Sequence, residues 1–182
     1  MSRQAITLTV TCLIAIATNA FALGMVEPPL AGGARQVSTV EHLIWISQNS
    51  SSWYDDFEQT ADIDFGSDET LVDWDGDGSA DGGGTSGFSP IGNGASEFTG
   101  SYDGQGHTIS NLYINRSSSN YIGLFGHTIG ATIRDLGLVD VDITGYTRVG
   151  GLVGHNRTSR VSNSYSTGSV TGVTTVGGLV GN

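Results

Sequence analysis

From about residue 98 onward, short runs of apolar residues alternate with polar ones, and Gly separates the runs. In Val139-Asp140-Val141-Asp142-Ile143 the alternation is strict, which predicts a strand with one buried and one wet face. The pattern also recurs. Gly123-Leu124-Phe125-Gly126, Gly151-Leu152-Val153-Gly154 and Gly178-Leu179-Val180-Gly181 follow one another at intervals of 28 and 27 residues. An apolar residue precedes each: Ile122 directly, Val149 and Val176 with one extra Gly between. A degenerate earlier copy occupies residues 109–114.

A single strand of this kind cannot bury its apolar face alone. Stacking the equivalent strand of the next copy about 4.8 Å away pairs the backbone and continues the core. The expected fold is therefore all-β, a parallel β-solenoid, with Leu and Phe/Val of each motif pointing inward. The flanking Gly residues are expected to supply sharp corners and positive φ. The interval is too short for a propeller blade and lacks a helical face. A Gly-rich β-sandwich is the alternative.

Upstream the period changes. Ser38 is placed as a helix N-cap with Glu41 three residues on, and Val40, Leu43, Ile44 and Ser47 share one helical face before Asn49-Ser50-Ser51-Ser52 ends it. A short helix ahead of a repeat array can cover its first open rung. The chain divides into a signal peptide at 1–22, a linker at 23–37, a cap helix with acidic first coils at 38–97, and repeats at 98–182.

The signal peptide is read from Arg3, an apolar stretch of 13 residues from Ala5 to Ala17, and the small-x-small pattern Ala20-Phe21-Ala22. The apolar stretch is shorter than the roughly 20 residues a spanning helix needs. Cys12 is the one cysteine and lies within it, so the exported chain is expected to have no disulfide.

Composition narrows the partners. There are 28 Gly and 3 Pro in 182 residues, all basic residues are Arg, and the net charge is −11. Such a field repels nucleic acid. Acidic residues concentrate between Asp55 and Asp81, where there is no basic residue. Within that stretch Asp73, Asp75, Asp77, Ser79 and Asp81, with Gly78 at the sixth position to permit the tight turn, follow the first part of a calcium loop. The position of the expected bidentate acid is Gly84, so a carboxylate such as Glu69 would have to complete the shell. A solvated acidic loop is the competing reading, and calcium is the one cofactor the sequence suggests.

His127 and His155 both follow a motif and are 28 residues apart, so stacked rungs would bring them together, with Asn182 in the third copy. That substitution favours a polar ladder over a metal site. Catalysis would need acids grouped with Arg on adjoining rungs. Asp135, Asp140 and Asp142 lie near Arg134 and Arg148, yet the next copy has Ser, Thr and Gly there, so no catalytic residue is assigned. Trp53, Trp74 and Tyr165 suit sugar stacking but also ordinary packing.

Residues 151–172 (GLVGHNRTSRVSNSYSTGSVTG) resemble the GLUG motif of bacterial surface and exported proteins, and the stretch from Phe98 to Leu112 resembles the segment preceding such arrays. The resemblance covers roughly residues 90–182. It implies a right-handed parallel β-helix and includes filamentous-haemagglutinin-like adhesins and non-catalytic regions of some immunoglobulin-cleaving metallopeptidases. Since the chain stops after a motif without a cap, it reads as C-terminally incomplete. The expected function is a non-catalytic exported or cell-surface scaffold, adhesin-like, meeting a host or matrix protein or a glycan. The alternatives are the non-catalytic N-terminal region of a larger secreted enzyme (a metallopeptidase or a polysaccharide-degrading protein) and a calcium-assisted carbohydrate-binding module.

Overall fold

The computed structural model describes residues 25–66 and 86–182. Residues 1–22, expected to be a signal peptide, and the expected calcium-loop residues Asp73, Asp75, Asp77, Ser79 and Asp81 lie outside the described residues.

The described chain is mostly strand with one α-helix. A short antiparallel pair, β1 (Leu30–Ala31) and β2 (Ala34–Val37), leads into α1 (Val40–Gln48). The strands that follow fall into successive passes. The first holds β3 (Asp56–Gln59) and β4 (Ile63–Asp64). The second holds β5 (Ser101–Asp103), β6 (Thr108–Ser110), β7 (Tyr113–Asn115), β8 (Asn120–Ile122) and β9 (Phe125–Ile129). The third holds β10 (Thr132–Arg134), β11 (Gly137–Thr144), β12 (Thr147–Gly150) and β13 (Val153–Arg157), and the last β14 (Arg160–Ser162), β15 (Tyr165–Thr171) and β16 (Thr174–Gly177). Each strand pairs in parallel with its equivalents in the neighbouring passes, giving the orders β2-β3-β5-β10-β14, β4-β6-β11-β15, β8-β12-β16 and β9-β13. The result is all-β, a parallel sheet curled around one core.

The register explains why the motif interval wavers. Ile122 pairs with Val149, 27 residues on, whereas Phe125 pairs with Val153, 28 residues on. The extra Gly of the third pass is absorbed between these two pairs. Leu138 then pairs with Ser166 at 28, but Val141 with Gly168 at 27. The surplus residue forms a bulge at Asp140, which takes φ +53°. Strict alternation through residues 139–143 therefore fails at one point: Leu138, Val141 and Ile143 are buried, while Val139 is half-exposed.

The interior is a column of aliphatic and aromatic side chains. Leu124, Phe125, Leu152 and Val153 of the motifs have no exposed surface. Phe57, Phe98, Tyr102 and Phe125 stack with centroids 4.9–6.3 Å apart. Burial pushes the Tyr102 phenol up, and it stays protonated and donates to Gln59 Oε1 at 3.0 Å. Gln59 is itself fully buried and donates to the carbonyls of Ala61 and Thr108, so this polar pair is satisfied.

The motif glycines serve close approach, not the positive φ expected of them. A Cβ on Gly126 would sit 2.3 Å from the Gly92 carbonyl oxygen, one on Gly123 2.7 Å from that of Gly150, and one on Gly154 2.6 Å from the Ile122 nitrogen. None of these has positive φ. Left-handed corners are instead held by Asn111, Asp135 and Asn163, and by Tyr121, Arg148, Thr158 and Thr175, residues whose Cβ makes that conformation costly.

The helix begins one residue later than the capping pattern suggests. Thr39, not Ser38, is the N-cap, and its hydroxyl accepts from the His42 N–H at 3.4 Å. The Ser38 N–H is taken by His42 Nδ1 at 3.1 Å, which fixes His42 inward and leaves Thr39 to cap. Leu43, Ile44 and Ser47 are buried as their spacing implies, Ile46 joins them, and Val40 is half-buried.

Candidate functional site

Two features gather polar and titratable side chains. The first is a shallow groove of about 310 Å³ crossing β2, β3, β5 and β10, lined by Gly32–Ala34, Asp56, Glu58, Ser101, Asp103, Thr132 and Arg134. Parallel register builds it. Asp56 pairs with Ser101 and Ser101 with Thr132, while Glu58 pairs with Asp103 and Asp103 with Arg134. Each row points outward because Phe57, Tyr102 and Ile133 between them point inward.

Neutralisation of the groove is internal. Asp103 is almost buried and is bound by Arg134 and by the backbone and side-chain amides of Gln105 at 3.0 and 2.9 Å. Glu58 accepts from Gln36 at 3.1 Å, and Asp56 accepts from Ser101 Oγ at 2.5 Å. A groove whose carboxylates are already occupied suits hydrogen bonding along an extended polar ligand. It offers no acid and base held on opposite sides of a reacting bond.

The second feature is a stack at the middle of β9 and β13. His127 and His155 lie face to face with centroids 4.6 Å apart, and Tyr121 stacks on both at 5.2 and 5.6 Å. The Arg148 guanidinium covers the Tyr121 ring at 5.3 Å. The expected pairing of the two histidines thus occurs, but its aromatic and cationic neighbours were not expected. Their signal was present: Tyr121 and Arg148 are 27 residues apart and each precedes the apolar residue ahead of a motif.

The stack is a packing device. Both ring nitrogens of His127 and Nδ1 of His155 are buried without a hydrogen bond, and Glu97 Oε1 lies 3.9 Å from His127 Nδ1. Rings inclined by 24° send their in-plane lone pairs side by side, so the two cannot converge on one ion. Burial pushes the His155 imidazole below its usual value, and His127, Arg148 and Arg157 push the same way. Among the described residues, no group of three His, Cys, Asp or Glu is placed to hold a metal.

The acids considered for catalysis separate. Arg134 contacts Asp103 and Asp135, and Asp135 also accepts from Asn163 Nδ2 at 2.9 Å. Asp140 and Asp142 are exposed on β11, and Arg148 is committed to Tyr121. A separate Asn–Asp pair joins the first two passes, where Asn111 Nδ2 donates to Asp64 at 2.7 Å. That bond, then the Gly66 N–H, holds the Asp64 carboxyl below its usual range. The Thr108 N–H, followed by His107, does the same for Asp62. Tyr165 lies flat over Gly137 on the outer face, half-exposed.

Comparison with known proteins gives the chain a GLUG motif over residues 145–171. A stretch of 139 residues, 74% of the chain, is 37% identical to halomucin of Haloquadratum walsbyi and spans 1% of that protein. A stretch of 75 residues, 38% of the chain, is 43% identical to a protein of Evansella cellulosilytica described as a Gly-rich membrane protein, and spans 9% of it. The chain therefore corresponds to a small part of either relative. No solved structure matches it. No helix among the described residues is long and apolar enough to cross a membrane.

Proposed function

We propose that the chain is a non-enzymatic, cell-surface or exported scaffold in which stacked passes form a right-handed parallel solenoid that presents outward side chains to a partner. The observation that carries this reading is the register itself. Inward positions repeat as Leu, Ile, Val and Phe from pass to pass, while outward positions change from Asp103 to Arg134 to Ser162 with no loss of pairing. A fold that holds its core constant and lets its outer face vary suits display. The names of the two relatives support a surface location, and the leader-like segment at residues 1–22 supports export.

In this reading the adhesin-like contact is made by the polar groove of Asp56, Glu58, Ser101, Thr132 and Arg134, whose ligand is a glycan or an extended protein segment. Asp73, Asp75, Asp77, Ser79 and Asp81 belong to the proposal as a calcium loop on the strength of their spacing. The test is antibody labelling of intact cells, with an antibody raised against the folded chain. Labelling before permeabilisation supports the surface reading; labelling that requires permeabilisation overturns it. Calorimetric titration with calcium tests the loop separately, and no heat at millimolar metal removes it.

A further inference from the structure

The sequence contains three Asn-x-Ser/Thr triplets: Asn49-Ser50-Ser51, Asn115-Arg116-Ser117 and Asn156-Arg157-Thr158. Their amides are in different situations. Asn49 closes the helix, donating from Nδ2 to the Trp45 carbonyl at 2.8 Å. Asn156 closes a turn, accepting from the Ser159 N–H at 2.9 Å and donating to the Ser159 carbonyl at 3.2 Å. Asn115 ends β7 with its side chain exposed, and among the described residues that amide makes no hydrogen bond.

The local structure presents the triplet. Asn115 is fixed through its backbone, whose N–H donates to Ser86 at 3.0 Å, and the chain then turns as the Ser119 N–H donates to Arg116 at 2.8 Å. The middle residue is drawn inward: the Arg116 guanidinium donates to the carbonyls of Phe88 and Gly87 at 3.3 and 3.2 Å. Ser117 is left outside with Asn115. Tyr113, two residues back, lies on the outward face of β7 and is half-buried there.

What lies beside the turn points to a cover. Tyr146 stacks one pass on, its N–H donating to the Ser119 carbonyl, and Val173 one pass further, donating to Tyr146, both at 2.8 Å. These two are 48% and 65% exposed, an apolar ladder running from the turn along the outer edge. From the free amide, the exposed Ser117 and this ladder, we infer that Asn115 is an acceptor for an N-linked oligosaccharide, whose sugars lie over Tyr146 and Val173. The inference rests on the surface reading above, because the modification needs export.

The transfer uses an oligosaccharide carried on a lipid diphosphate. A bond forms between Asn115 Nδ2 and the anomeric carbon, the bond from that carbon to the phosphate oxygen breaks, the amide gives up one proton, and the lipid diphosphate leaves. No electrons are exchanged.

The experiment takes the chain from its own cells, separates the exported pool, and after cleavage at acidic residues maps by mass spectrometry the peptide from Asp103 to Arg134, which carries Asn115, together with the peptides that carry Asn49 and Asn156. The expected result is a hexose-containing mass on Asn115, absent in both N115Q and S117A, with Asn49 and Asn156 bare. The second variant keeps the Asn115 side chain, so a folding effect of N115Q is separated from loss of the acceptor. An exported chain with Asn115 unmodified, or with sugar on Asn49 or Asn156 alone, overturns the inference and leaves the surface reading standing. A chain retained inside the cell overturns both.

Discussion

The imidazole of His155 lies on that of His127, 4.6 Å away between centroids, with Arg148 over the tyrosine that stacks on both. Protonating His155 would place a cation in partly buried surroundings, beside His127 and close to Arg148 and Arg157. His155, and His42 through burial, are held below the usual imidazole value.

A group with a lowered folded value binds fewer protons when folded than when unfolded. The stability it supports is therefore present above the unfolded value near 6.5 and is lost as pH falls below that value and through the folded one. Thermal melts should show a midpoint that is flat from about pH 8 to 7 and falls by a few degrees toward pH 5. His155→Asn, which installs the residue found at 182, should shrink that fall without abolishing it, since His42 remains. An unchanged fall in this variant would place the acid sensitivity elsewhere.

Motif glycines are constrained by neighbouring backbone. Gly126→Ala would put a methyl 2.3 Å from one carbonyl oxygen and 2.6 Å from another, so two backbones must move apart. A loss of about 2–4 kcal/mol is expected in denaturant titration. Gly130 has φ +62° and open space around its Cβ position, so Gly130→Ala should lose about 1 kcal/mol. Equal losses would contradict the steric account.

Left-handed corners offer the opposite change. Thr158 has φ +60° and is β-branched, the residue class least suited to that conformation. Asn tolerates it, so Thr158→Asn should raise stability by about 0.5–1 kcal/mol, seen as an upward shift of the melting midpoint. A fall would show that the Thr158 hydroxyl bond to the Arg157 carbonyl outweighs the backbone gain.

How much of this could be read from sequence depends on what repeats. Leu124 and Leu152 announce their burial because equal spacing puts them in one column, and His127 and His155 announce their stacking for the same reason. The first pass stays hidden, since Phe57 pairs with Tyr102 across 45 residues and no constant interval marks it. The glycines were legible as necessary but not in why, because a clash with the Gly92 carbonyl exists only once two passes are stacked. Corners at Tyr121, Arg148 and Thr175 left no trace in residue type, as neighbouring passes over-determine a backbone that those residues would not choose. The groove was missed because Asp56, Ser101 and Thr132 come from three passes with unequal spacing.

The central claim is that the passes are interchangeable units of one scaffold, and excising one tests it directly. Deleting residues 124–151 joins Gly123 to Leu152, so that β13 follows β8 where β9 did, and the register across the join is kept. Circular dichroism and melting of this variant should show retained β-structure and one cooperative transition at a lower midpoint, while a deletion four residues shorter at the same place should not fold. If both deletions unfold alike, or both fold alike, the passes are not the repeating unit and the scaffold account fails.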